Sequence, residues 1–359
     1  MKDSLKKSKV LILGIDTSCD ETSVSVLEDR KVLSQVVSSQ VELHKKWGGV
    51  VPHVARRAHI ENLPKAYKEA LKRAKVTPEQ INAVAVTYGP GLAVDLEVGV
   101  QFAKEWAQSY NKPIIPVNHM EGHLLSGLLL NSQGNGEISD NVLKEIFPAL
   151  GMLISGKHTE IIYVTGFGKY EKIGWTIDDA AGEAFDKVGR ILGFGYPAGP
   201  LVEEFAKKGR GGKFDFPLPL QHSGDLNFSY SGLKTACLYQ ANQLREAGKK
   251  DSEWVYDFCY EFQSSVARTI EIKLEKAILE HPEVKSILTG GGVYNNLTLV
   301  RRVGRLAKRY SLRFILPEQR FRSDNGSMIG IVGWRKWLDG DVLVGEGVSG
   351  VDRVPWLSL

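Results

Sequence analysis

The stretch NHMEGH, Asn118–His123, sets two histidines four residues apart. On a helix, positions i and i+4 share one face, so His119 and His123 can offer imidazoles to a single metal ion. The protease pattern H-E-x-x-H needs its glutamate directly after the first histidine, as general base. Glu121 sits two residues after His119, rotated by about 200° on a helix, and so points away from a shared metal. That spacing excludes the zinc-protease reading. Two histidines alone fit capping or core side chains equally well. A metal site with an open position needs a third protein ligand. Asp324 in FRSDNGSM is the candidate, although a position just before a helical pattern also suits an N-cap.

Two glycine turns come next. TYGPGL (Thr87–Leu92) and TGGGVYNN (Thr289–Asn296) each follow a strand-like run and precede a helical one. Such turns can bring backbone N–H groups to a phosphate at the positive end of a helix. Neither has a Walker ending nor the G-x-G-x-x-G pattern, so each also reads as an ordinary strand-to-helix turn. Their equivalent placement in two halves of the chain favours the phosphate reading. Asp16 ends the first strand-like run, where it would hold hydrated magnesium near a nucleotide or bond its own turn backbone. In DDAAGEAFDK, the acids Asp178, Asp179, Glu183 and Asp186 are candidate contacts or dipole-favoured helix-start residues. In FSYSGLKTA, Ser231 is a candidate cap and Lys234 a candidate solvated side chain.

An α/β framework must hold these residues. VLILGID, TSVSVLE and KVLSQVVSS read as an antiparallel meander with tight polar turns. HVARRAHIENLPKAYKEALKRA has helical periodicity, and Thr77, Pro78 and Gln80 supply a new helix start. INAVAV and KPIIPVN are strands, each followed by a helical pattern, the second of which opens at NHMEGH. The linker is Asn131–Asn141, NSQGNGEISDN. Beyond it the layout repeats: ALGMLI, EIIYVTG and KIGWTIDD as strands, AGEAFDKVGRILG, VEEFAKKG and two long segments as helices. SILTGG and LRFILP are then strands around a helix, and SMIGIVGWRKWL is the final helix. A duplicated layout without sequence identity predicts two α/β halves with a nucleotide in the cleft between them.

Composition agrees with this class. The chain has 359 residues, 43% hydrophobic and 25% charged, enough for a globular protein of two subdomains. A net charge of +4, with Lys and Arg spread along the chain, permits an RNA partner without requiring one. Three cysteines without a CxxC leave metal binding to His and carboxylate and fit a reducing cytoplasm. The apolar run Val10–Leu13 is too short for a signal peptide, and no stretch reaches the ~20 apolar residues of a membrane helix. A cytoplasmic protein with no membrane partner is the expectation.

ILGIDTSCDETSVSV, GGVVPHVARRAH, GPGL, NHMEGH, SGKHT, DDAAGEAFDKVGRILG, YPAGP, FSYSGLKTA, GGVYNN and SDNGSM occur in that order between Val10 and Trp337. In that order they resemble the motifs of the bacterial TsaD family, relatives of the KEOPS catalytic subunit. The resemblance implies an actin/hexokinase-like (ASKHA) ATPase fold and an acyltransferase acting on tRNA. Its reaction would move threonylcarbamoyl from threonylcarbamoyl-AMP to N6 of the adenosine beside the anticodon, in tRNAs reading ANN codons. By motif, His119, His123 and Asp324 would ligate one divalent metal, iron or zinc. Leu153, Ile154, Ser155, Gly156, Lys157, Asp186, Gly199 and Asn296 would bind the adenylate, with Mg-ATP as a further ligand contacted by Asp16. Residues 1–135 plus 324–359 would form the subdomain with the metal, and 136–323 the one with the adenylate residues.

The resemblance also implies TsaB-like and TsaE-like protein partners. Several positions depart from the family pattern: Asp16 for Glu, Lys157 for Gly, His53 and Arg56 in GGVVPHVARRAH, and Val94 and Glu97 where TsaB would dock. A non-catalytic nucleotide-binding scaffold is the alternative, and retention of both histidines and Asp324 argues against it. A kinase of the same fold would leave the histidines without a task.

Overall fold

A computed structural model describes residues 9–359 except 137, 140, 141 and 144. The chain divides into two compact units, Met1–Gln40 with Val50–Glu137 and Asp324–Leu359, and Val41–Gly49 with Ile138–Ser323.

In the first unit, β1 (Leu11–Asp16), β2 (Glu21–Glu28) and β3 (Lys31–Ser39) form the expected antiparallel meander. Asp16 pairs with Ser23, so the polar turn TSCD lies at one end of the sheet. The short helix α1 (Val41–His44) clusters with the second unit. After it come α2 (Pro52–Ala74), β4 (Ala83–Gly89), α3 (Ala93–Tyr110), β5 (Ile114–Asn118) and α4 (His119–Leu125). β4 and β5 add in parallel, giving the order β3-β2-β1-β4-β5. Ile12, Leu13 and Ile15 of β1 are fully buried, each worth about 1.5–3 kcal/mol relative to exposure. The expected helix start at Thr77 yields only a 3₁₀ turn, Pro78–Gln80. Gln80 Oε1 does accept the Thr77 N–H at 2.7 Å, but the next residue, Ile81, is fully buried in the core and turns the chain toward β4.

Of the linker Asn131–Asn141, residues 137, 140 and 141 lie outside the described residues. Asn131 Oδ1 accepts the N–H groups of Gln133 and Asn135, closing a local turn. The second unit then repeats the pattern. β6 (Ala149–Ile154), β7 (Thr159–Gly166) and β8 (Lys169–Trp175) are antiparallel. Thr176 extends β8 by a single β-bridge to Phe228, and the rest of the segment expected as strand, Ile177–Asp179, bends away, with the Thr176 hydroxyl donating to the Asp179 carbonyl. Next are α5 (Ala181–Ile191), α6 (Gly199–Ala206), α7 (Ser231–Glu246), α8 (Val255–Glu280), β9 (Ser286–Gly290), α9 (Leu297–Arg309) and β10 (Arg313–Ile315). The order β8-β7-β6-β9-β10 is that of the first sheet, element for element. The duplication of layout is therefore one of topology. Aromatic packing fills the core of this unit, with Phe185 edge-on to Phe262 and Phe216 edge-on to Phe258.

The chain returns to the first unit as α10 (Gly326–Asp339) and α11 (Glu346–Ser349). α10 lies directly on β1. A Cβ on Gly14 would stand 2.1 Å from the Gly326 carbonyl oxygen, so only glycine permits this approach. The contact fixes where Asp324, two residues before α10, is delivered. Among the described residues no helix is long and apolar enough to cross a membrane, and Cys19, Cys237 and Cys259 form no disulfide.

Candidate functional site

β5 ends at Asn118, whose Oδ1 caps α4 by accepting the N–H of Met120 at 2.8 Å and of Glu121 at 3.3 Å. The helix therefore starts at His119, and His123 follows one turn later with the two rings edge to face, 4.8 Å between centroids. Across from them, Asn325 caps α10 through the Met328 N–H at 3.0 Å. The N-cap function in FRSDNGSM belongs to Asn325, which leaves the Asp324 carboxylate for the histidines. Asp324 Oδ1 lies 3.1 Å from His123 Nε2 and 3.5 Å from His119 Nε2.

Ligand atoms from the three residues all lie within 4.8 Å of one another. Both ring nitrogens of His123 are buried without a hydrogen-bond partner, although Nε2 is so close to the carboxylate. The two groups approach without the alignment of a hydrogen bond, as ligands aimed at a common cation do. Two imidazoles and a carboxylate suit zinc or iron. The residues present fit the metal.

A second layer supports this cluster. His119 Nδ1 lies 3.1 Å from Ser18 Oγ and 3.6 Å from Asp16 Oδ1. Asp16 is fully buried, and its Oδ1 also accepts from Thr87 Oγ1 at 2.8 Å and the Ser18 N–H at 3.3 Å. The sequence offered Asp16 for hydrated magnesium beside a nucleotide or for its own turn backbone; the Ser18 N–H contact is the turn bond, and the same oxygen stands behind His119. Burial opposes a charged His119, but the carboxylates of Asp324 and Asp16 outweigh it and raise its pKa to about 10. Asp324 is partly buried, which would raise its pKa, yet the two imidazoles hold it well below the usual carboxylate range. Glu21 goes the other way, pushed up to about 10 by burial and by Asp20, Asp324 and Asp16. Both upward shifts register the negative potential of the neighbouring carboxylates, which a cation would neutralise. Ser18 and Glu21 were not read from the sequence; they reach the site because the turn between β1 and β2 lies against His119 of α4.

TYGPGL does not serve as a phosphate cradle. The Gly91 N–H donates to the Pro355 carbonyl at 3.2 Å and the Leu92 N–H to the Ser18 carbonyl at 2.9 Å. Its amides are thus taken up inside the first unit.

In the second unit a cavity of about 210 Å³ is lined by Gly156, Phe185, Asp186, Gly199, Glu203 and Asn296 among others. Asp186, on α5, accepts the N–H groups of Ala198 at 2.8 Å and Gly199 at 3.3 Å, which fixes the YPAGP turn against the cavity. Asn296 lines the wall, while its side chain caps α9 through Thr298 and Leu299 and donates to Gln263 Oε1. In the SGKHT turn, Ser155 Oγ accepts the N–H of His158 at 3.1 Å and of Lys157 at 3.4 Å. Gly156 reaches the cavity, whereas Lys157 is exposed and does not line it.

Leu153 and Ile154, expected to touch the adenylate, are fully buried in β6, so their side chains belong to the core. Their strand instead positions the turn. Gly291, at φ +100°, passes so close that a Cβ would stand 2.3 Å from the Ile154 carbonyl oxygen. Phe185 and Glu203 were not read from the sequence; Glu203 Oε1 accepts the Leu297 N–H at 2.9 Å, a contact no spacing announces.

The remaining motifs resolve structurally. Asp178, rather than Ser231, caps α7 by accepting the Tyr230 N–H at 2.8 Å, the Ser231 N–H at 3.3 Å and the Ser231 hydroxyl at 2.6 Å. Lys234 is paired, 2.9 Å from Asp179 Oδ2, and Glu183 pairs with Lys187 at 2.8 Å.

A family model described as TsaD, tRNA N6-adenosine threonylcarbamoyltransferase, matches residues 31–331. A protein of Thermosipho africanus with that description is 42% identical over 333 residues, spanning 92% of this chain and 96% of its own. One of Carboxydothermus hydrogenoformans is 43% identical over 331 residues, spanning 92% and 93%. Among solved structures, HypF of T. kodakarensis superposes with a TM-score of 0.57 at 15% identity, over 92% of this chain and 48% of its own. Component A of the Acidaminococcus fermentans (R)-2-hydroxyglutaryl-CoA dehydratase gives 0.50 at 12%, over 91% and 98%. At such identities the likeness is one of fold, the actin/hexokinase-like architecture of duplicated sheets.

Proposed function

The chain belongs to the TsaD family of tRNA N6-adenosine threonylcarbamoyltransferases, and from that membership we infer how its residues divide the work. It is an acyltransferase that modifies tRNA. The proposed donor is threonylcarbamoyl-AMP, and the proposed acceptor is N6 of the adenosine beside the anticodon in tRNAs reading ANN codons. His119, His123 and Asp324 would hold one divalent metal, iron or zinc, with Ser18 and Asp16 fixing which nitrogen of His119 faces it. Bound there, the metal would supply Lewis acidity toward the donor's carbamoyl carbonyl. The buried, partnerless nitrogens of His123 beside Asp324 carry this reading.

The adenylate end is assigned to the second-unit cavity. Gly156 and Gly199 leave room for close backbone approach, Asp186 offers a carboxylate to ribose hydroxyls, and Phe185 supplies an apolar wall. Mg-ATP is a second occupant of the same chemistry. TsaB-like and TsaE-like proteins are the proposed partners, the former at α3 near Val94 and Glu97, and the proposed compartment is the cytoplasm.

The test supplies the protein and its partners with threonylcarbamoyl-AMP, labelled in the threonyl group, and tRNA. Label reaches tRNA with the wild type and not with His119→Ala/His123→Ala. Full labelling by the double variant would overturn the metal assignment.

A further inference from the structure

Beyond α11 the chain folds back along the first unit and is tied down at successive points. Lys104 Nζ donates to the Val351 carbonyl at 3.0 Å, and Arg353 lies 3.6 Å from Glu97. The Val354 N–H donates to the Tyr88 carbonyl at 2.7 Å, and the Pro355 carbonyl accepts the Gly91 N–H at 3.2 Å. The Ser358 carbonyl accepts from Asn118 Nδ2 at 3.1 Å.

Two features give this segment more than a packing role. Gly89 exists for it: a Cβ there would stand 2.0 Å from the Val354 carbonyl oxygen and 3.0 Å from Leu357 Cβ. Asn118 is also the residue immediately before His119, and its amide does two tasks at once. Its oxygen caps α4, and its nitrogen is held by Ser358. An unrestrained asparagine amide can present either its oxygen or its nitrogen to a neighbour. With a carbonyl acceptor on one side, the nitrogen must face Ser358 and the oxygen must face the helix N–H groups. α4 has seven residues, too short to hold itself in water, so its geometry depends on such anchors.

We propose that Val351–Ser358 is a strap that positions the metal-binding helix, acting through Asn118 to set how tightly and in what geometry His119 and His123 hold their ion. The inference rests on the metal assignment above. Asn118 and the strap are positioning elements, and none of their residues is a ligand in the assigned metal set. Trp356, 93% exposed, turns its side chain away from the unit and serves as an internal control.

The experiment titrates metal-stripped full-length protein with Co²⁺, reading stoichiometry, affinity and the visible d–d spectrum. The wild type binds one Co²⁺ and His119→Ala/His123→Ala does not, which tests the metal assignment by itself. Gly89→Ala, a chain ending at Val351, and Asn118→Ser (which keeps a capping oxygen) each bind about tenfold more weakly with a displaced spectrum. Trp356→Ala matches the wild type. Should Gly89→Ala not fold, the shortened chain decides. Affinities within twofold of wild type and an unmoved spectrum in the shortened chain and Asn118→Ser would overturn the strap while leaving the metal assignment standing. A wild type that binds no cobalt would overturn both.

Discussion

Ser18 Oγ lies 3.1 Å from His119 Nδ1, the nitrogen facing away from Asp324. A hydroxyl at that place fixes the ring's rotation and the tautomer that leaves Nε2 available as a ligand. Ser18→Ala is expected to lower metal affinity by about tenfold, the usual size of such outer contacts. Competitive zinc titration checks this, with binding to the second-unit cavity unchanged.

Asp186 both lines the cavity and accepts two backbone N–H groups from the YPAGP turn. Hydrogen bonds to a charged group contribute about 1.5–3 kcal/mol each, so a neutral replacement loosens the turn and weakens the proposed ribose contact. Asp186→Asn should weaken AMP binding by about tenfold or more in calorimetry. Cobalt binding at the histidines should not change.

Asp178 gives the pH dependence. Burial alone would raise its pKa, but the Ser229 and Ser231 hydroxyls and the Tyr230 and Ser231 N–H groups outweigh that and hold it lowered. A carboxylate depressed in the folded state stabilises above the unfolded value of about 3.9, and that stabilisation is lost as pH falls below it. The α7 cap therefore weakens on acidification. Asp178→Asn is expected to lower the melting temperature at pH 7 and to lose less on going from pH 5 to pH 3 than the wild type. Equal acid losses would refute this.

Gly14 is the contact that delivers Asp324. Gly14→Ala would press a methyl against the Gly326 carbonyl oxygen and displace α10. The expected loss is about 1–3 kcal/mol in urea denaturation, accompanied by weaker metal binding.

Lys157 breaks the family's glycine pattern but lies exposed and outside the cavity lining. Lys157→Gly is expected to leave the apparent KM for the adenylate donor within about twofold. A tenfold change would place the side chain at the phosphate after all.

The i, i+4 spacing of His119 and His123 was enough to dismiss Glu121 as a protease base, but it left metal binding level with capping or core roles until Asp324 was set beside the pair. Asp324 was readable as a third, although its neighbour Asn325 proved to be the cap. The sheets were readable because alternating apolar runs and tight polar turns dictate meanders, and the second half repeats the first. What stayed hidden depends on distant chain returns. Nothing local to Asp16 reveals that the first histidine of α4 will stand beside it. The TYGPGL amides were free in the sequence and are occupied by residues far along the chain. Leu153 and Ile154 precede the SGKHT motif, and their side chains are buried in the core rather than offered to a ligand.

The most direct measurement is tRNA threonylcarbamoylation by metal-stripped protein refilled with one equivalent of iron or zinc. Stripping is expected to abolish transfer, and one equivalent to restore it in the wild type but not in His119→Ala/His123→Ala. Transfer at the wild-type rate by the stripped protein, or by the refilled double variant, would contradict this expectation.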